Sequence, residues 1–143
     1  MKSKENFFGF TIVELLIVVV VIGILAAITI VAYNGVQNRA NDSRLDSDVS
    51  HIKTALEMYK TDNGTYPAVC GSDDIGCSVS SLSSALTPTY LSTLPSTSGL
   101  YQYVRGPVSN DSYGIILQYK SKTTCKTGRN VSSGWWGSSV PTC

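Results

Sequence analysis

Few residues in this sequence are equipped for chemistry, and the most unusual of them is Glu14. It is followed by LLIVVVVIGILAAITIVA, Leu15 to Ala32, eighteen residues with no charge and only Thr29 as a polar member. A carboxylate in such a helix costs about 2.5 to 3.5 kcal/mol on insertion scales, so it persists where a partner can meet it. The plainer alternative is a carboxylate at the bilayer boundary that reaches back to water. Four cysteines, Cys70, Cys77, Cys125 and Cys143, all lie beyond the apolar run. An even number, confined to the part that a membrane segment could deliver outside the cytoplasm, suggests two disulfides. Four cysteines allow three connectivities, and the spacing favours the local pairs, Cys70 with Cys77 and Cys125 with Cys143. A structural zinc site is the rival reading, but there is no CxxC pair and the single histidine, His51, is remote.

The other candidates are weaker. A serine nucleophile would need a base, and His51 lies between Ser50 and Ile52 on what reads as a polar helix face, so the sequence does not read as an enzyme. Asp73 and Asp74 do not supply the six to eight oxygens that calcium takes, so no metal is expected, and nothing calls for a cofactor. Trp135 and Trp136 could form a stacking platform for a ligand, or pack on a sheet. No acidic residue follows Asp111, while Lys120, Lys122, Lys126 and Arg129 accumulate there. They could form a positive surface for DNA or a cell-surface polymer, or serve solubility along an exposed sheet edge.

The elements that must position these groups follow from composition and periodicity. The chain has 143 residues, eleven basic against ten acidic, and only 15% charged residues. That length allows one small domain plus an appendage, and the near-neutral balance gives no global field for nucleic acid or an anionic membrane. Eighteen uncharged residues make Leu15 to Ala32 a transmembrane candidate. A secretory signal would be cleaved after this run, where Ile30 fits the small-residue pattern poorly. No proline interrupts Phe10 to Lys60, and Leu45, Val49, Ile52, Leu56 and Tyr59 recur at spacings of four, three, four and three. The first half of this helix is therefore apolar all round and the second amphipathic. At about 76 Å long, half of it must project from a small domain. Asp62, Asn63 and Gly64 supply the stop, with Pro67 barring continuation. A turn-rich loop from Cys70 to Cys77, a brief helix over Ser81 to Thr87, and strands over Leu100 to Arg105, Ser112 to Lys120 and Val131 to Trp136 complete the pattern. The expected fold is α+β: a long N-terminal helix packed on a small antiparallel sheet.

The join GFTIVELLIVVVVIGILAAITIVAYNGVQNRA, residues 9 to 40, resembles the type IV pilin family, including the related pseudopilins of type II secretion. The likeness returns in ALEMYKTDNGTYP, Ala55 to Pro67, and is architectural afterward. It implies a prepilin leader, residues 1 to 9, that a membrane-embedded prepilin peptidase cuts after Gly9. Phe10 then becomes the mature, usually N-methylated terminus. Residues 10 to 32 would be the transmembrane and assembly helix, and 33 to 143 the amphipathic half with the globular domain. Glu14 matches the family's acidic assembly residue. Physically, cleavage creates an amine four residues from Glu14, and that amine on a neighbouring subunit can pair with the carboxylate in an apolar bundle, fixing register and polarity. One departure is Val31, where many pilins carry proline and the helix back to the glycine matching Gly23 often melts.

The resemblance implies a structural subunit of a type IV pilus for adhesion, twitching motility or DNA uptake. Its partners would be further copies of itself, the prepilin peptidase, the assembly platform and motor, minor pilins and the membrane. DNA or a cell-surface ligand is a further candidate. The subunit would wait in the cell membrane as a single-pass protein, then enter an extracellular filament. The alternatives are a pseudopilin of a type II secretion or competence system, and a single-pass anchored binding domain that never polymerises.

Overall fold

With no proline between Ile12 and Asn63 and glycine there only at positions 23 and 35, residues Ile12–Asn63 fold as one helix of 52 residues, α1. The computed structural model describes residues 9–95, 101–107 and 111–143. By the clustering of its contacts the chain divides into two units, Met1–Gln37 and Asn38–Cys143. In the first, every described side chain is exposed, apolar ones included. This stretch meets the length and composition needed to cross a membrane.

The second unit has a core of its own. The α1 side chains Leu45, Val49, Ile52, Ala55 and Leu56 form one buried stripe. Gly64 ends the helix in a left-handed conformation (φ 76°) that favours glycine, its N–H donating to the Lys60 carbonyl at 2.7 Å. A four-stranded antiparallel meander receives the stripe: β1 (Gly76–Ser78), β2 (Tyr101–Arg105), β3 (Tyr113–Leu117) and β4 (Cys125–Arg129), in that order across the sheet. Alternation along the strands sends Tyr101, Tyr103, Tyr113, Ile115 and Leu117 into one cluster with the helix stripe. The tyrosines bring hydroxyls into this core, and each is met: Tyr103 donates to the Pro67 carbonyl at 3.1 Å and Tyr66 to Glu57 at 3.0 Å. Between β1 and β2 lie a 3-10 turn, Val79–Leu82, and a single turn of helix, α2 (Ser83–Leu86).

All five residues of β3 are buried, which one covering layer cannot achieve. The opposite face carries Val104, Ile116 and Trp135, buried but outside the helix-facing cluster. The C-terminal segment supplies this second cover. It returns to the edge of β4, where the Lys126 N–H donates to the Pro141 carbonyl (2.8 Å) and the Cys143 N–H to the Lys126 carbonyl (2.9 Å). The sheet therefore lies between α1 and a loop.

Several sequence-based boundaries are corrected. The expected strand at Val131–Trp136 is absent; those residues belong to the covering loop, and the last strand is Cys125–Arg129. Its sequence, CKTGR, has little strand propensity, but Gly128 allows a backbone approach that a β-carbon would block by meeting the Tyr113 carbonyl. The Ser112–Lys120 strand is shorter because the Lys120 and Ser121 amides turn to the Asp42 carboxylate, at 2.8 and 2.9 Å. β1 lies at the end of the segment read as a loop. Of the expected strand Leu100–Arg105, Leu100 lies outside the described residues, as do the leader residues Met1–Phe8.

Candidate assembly site and outer face

Glu14 stands in the first turn of α1, and its carboxylate is already occupied. Its Oε2 accepts hydrogen bonds from the Thr11 N–H (2.8 Å) and the Thr11 hydroxyl (2.7 Å), while the Glu14 N–H donates to Thr11 Oγ1 (3.2 Å). This reciprocal pair is a capping box, satisfying N–H groups that a helix start leaves without partners. Sequence reasoning treated Glu14 as a partner for another chain and passed over Thr11. The signal was present in Thr11-Ile12-Val13-Glu14, a threonine three residues before a glutamate at the head of an apolar run. Gly9 and Phe10 precede the helix in an exposed, non-helical segment, with Phe10 85% exposed.

At the sheet, two disulfides join Cys70 to Cys77 and Cys125 to Cys143. Lys126 is almost wholly buried, and its ammonium group donates to the carbonyls of Ser133 (3.0 Å), Trp135 (3.1 Å) and Gly137 (3.5 Å). Three acceptors for three N–H donors let a cation sit under the loop without a counter-ion. Trp135, 7% exposed, lies against Gly106 and Gly114, its ring carbons 2.8 and 3.0 Å from where a Gly114 β-carbon would stand. Its indole N–H donates to Asp74 Oδ1 at 2.8 Å, tying the C-terminal loop to the Cys70–Cys77 loop. Trp136 is half-buried and donates to Gln102 Oε1 at 2.8 Å.

The basic residues beyond Asp111 do not gather into one free patch. Lys126 is engaged as described, Arg129 pairs with Glu57 (3.4 Å) and Asp111 (3.2 Å), and Lys122 pairs with Asp46 (3.2 Å). Asp42 also accepts from the Ser121 hydroxyl. Burial works to raise the Asp42 carboxyl, but the Ser121 hydroxyl, the Lys120 and Ser121 amides and the Lys122 charge outweigh it and hold the group below its ordinary range. Asp73 pairs with Arg105. His51 is exposed on α1. Among the described residues no group of three carboxylates, histidines or cysteines could hold a metal ion.

Residues 6–30 match the prokaryotic N-terminal methylation motif. The type II secretion system core protein G of Escherichia coli (strain K12) is 36% identical over 67 residues, 47% of this chain and 46% of that protein. Over its N-terminal part the chain is similar to proteins of the type IV pilin-like group. Core protein G of Vibrio cholerae is 37% identical over 67 residues (47% and 46% of the two chains), and that of Pseudomonas aeruginosa 40% over 60 residues (42% of each). The matches thus span less than half the length of these curated relatives. No solved structure matches. The chain combines a long N-terminal helix, apolar in its first half, with a four-stranded antiparallel sheet.

Proposed function

We propose that the chain is a structural subunit of a type IV pilus, cut after Gly9 by a prepilin peptidase and assembled through residues 10–32 into an extracellular filament. One observation carries this reading: from Ile12 to Val36 an apolar helix shows every side chain, while residues beyond Asn38 bury a core of their own. A helix apolar on all sides is stable in lipid or among copies of itself. Before assembly the membrane covers it. In the filament neighbouring copies do, with head-to-tail contacts that need not close into a ring. Work from the assembly platform and motor drives the transfer, and minor pilins join the same filament.

In the single subunit Thr11 keeps Glu14 satisfied. Pairing with the Phe10 amine of a neighbour uses the carboxylate's remaining acceptor capacity, since each carboxylate oxygen accepts more than one hydrogen bond. Two substitutions separate this role from the cap. Glu14→Gln preserves a residue able to close the capping box but removes the charge, whereas Glu14→Ala removes both. Both variants should reach the membrane in normal amounts by immunoblot and give few or no filaments by electron microscopy of sheared cells. Abundant filaments from Glu14→Gln would refute the charge pairing.

A second reading, a pseudopilin of a type II secretion or competence system, is favoured by the names of the similar proteins. Deleting the gene in its native host distinguishes the two. A pilus subunit predicts loss of surface filaments with exoprotein secretion intact, and a pseudopilin the reverse.

A further inference from the structure

Trp136 is the residue whose conformation the core does not explain. Its backbone lies in the left-handed region (φ 56°), unfavourable for a bulky side chain, and its ring remains half-exposed. Trp135 fills the seat over Gly106 and Gly114, and one ring carbon of Trp136 reaches the same strand, 3.1 Å from where a Gly114 β-carbon would stand. A bulky residue held in this conformation directs attention to what the exposed part of its ring presents.

The two indoles meet at 73° with centroids 6.3 Å apart, forming a step beside Gly76, Gln102, Val104 and Asp74 around an open cleft of about 180 Å³. Both indole N–H groups are engaged, by Asp74 and Gln102, so what the rings themselves offer the cleft is aromatic surface. Because an indole N–H only donates, the Trp136 bond fixes Gln102 with its oxygen toward the ring. The Gln102 amide N–H₂ and the second oxygen of Asp74 have no partner among the described residues. The rim thus sets a neutral double donor and a carboxylate acceptor beside the indole rings and Val104. That pattern suits a ligand with both hydroxyl groups and C–H faces, whereas a cation would use the carboxylate and ring and leave the Gln102 donor unmet.

We propose that Trp136, Gln102 and Asp74 form a binding site for a neutral pyranose ring, the terminal sugar of a surface glycan. The cleft is smaller than enclosed ligand pockets of about 300 Å³ and above, so it takes one ring of a longer glycan, with the remainder in solvent. The C–H face of the sugar lies on the indole, one hydroxyl donates to Asp74, and another accepts from Gln102. This inference does not depend on whether the filament is a pilus or a pseudopilus.

Trp135 and Trp136 are the chain's only tryptophans, so indole fluorescence reports this site selectively. Full-length protein in phosphatidylethanolamine nanodiscs would be titrated with methyl pyranosides of glucose, galactose and mannose, with N-acetylglucosamine, and with tetramethylammonium chloride. At least one sugar should give a saturable change with a midpoint on the order of millimolar. Gln102→Ala should raise that midpoint about fivefold, the loss of one ordinary hydrogen bond, measured against the variant's own sugar-free emission because the Trp136 N–H loses its acceptor. Saturation-transfer NMR, which needs no tryptophan, should show contact in the unmodified protein and its loss in Trp136→Gly. No saturable response to any sugar, a response to tetramethylammonium alone, or an unchanged midpoint in Gln102→Ala would each overturn the proposal.

Discussion

Replacing Trp135 with alanine should remove about 3–5 kcal/mol of stability, while replacing its neighbour Trp136 with glycine should cost clearly less. Trp135 is 7% exposed, and its ring rests directly on glycine backbone, so truncating it opens a cavity against the sheet. Large aromatic truncations at such sites cost about 3–5 kcal/mol. The abandoned Asp74 adds little because it is exposed and rehydrates. Trp136→Gly loses a partly buried ring and one hydrogen bond to Gln102, together about 3 kcal/mol, but relieves a left-handed backbone strain of about 1–2 kcal/mol. The net loss should be about 1–2 kcal/mol, below that of Trp135→Ala. Amide exchange at Ile115 and Ile116 in β3, followed against urea in the full-length protein, isolates the sheet from the large helical signal of α1. With a urea dependence of about 2 kcal/mol per molar, Trp135→Ala should lower the midpoint by roughly 2 M. Equal shifts for the two variants, or a larger one for Trp136→Gly, would refute the division of labour between the indoles.

Removing the Cys125–Cys143 disulfide, which closes a separation of 18 residues, should cost about 3 kcal/mol by loop entropy; losing Cys70–Cys77, a separation of 7, should cost about 2 kcal/mol. Urea midpoints of the paired serine variants check the order. Asp42 provides a pH test. Its carboxyl is depressed in the folded state, so its contribution is present above the ordinary value of 3.8 and is lost as pH falls through the folded value. Asp42→Asn should therefore be less stable than the unmodified protein at neutral pH, and the gap should narrow below about pH 4. A gap independent of pH would contradict the carboxylate anchor.

The helix-facing half of the fold was legible because it is periodic. Leu45, Val49, Ile52 and Leu56 announce their face by spacing, and all are buried together. The outer half was not legible, because its order comes from contacts distant in sequence. Lys126 looks like a surface charge until three loop carbonyls surround it, and CKTGR becomes a strand because Gly128 can approach Tyr113. Val131–Trp136 carries strand-forming residues, yet packing of Trp135 over Gly106 and Gly114 wins over local propensity. At the other end, the Thr11–Glu14 spacing was readable and describes a contact within one subunit. What Glu14 meets on a neighbour depends on a second chain.

The central claim is that a chain beginning at Phe10 is built into a filament, and the intact mass of the subunit from sheared surface filaments of the native host tests it most directly. The account predicts a chain that has lost residues 1–9 and carries one N-methyl group on Phe10. Full-length protein confined to the membrane fraction, with no filament containing it, would contradict the account.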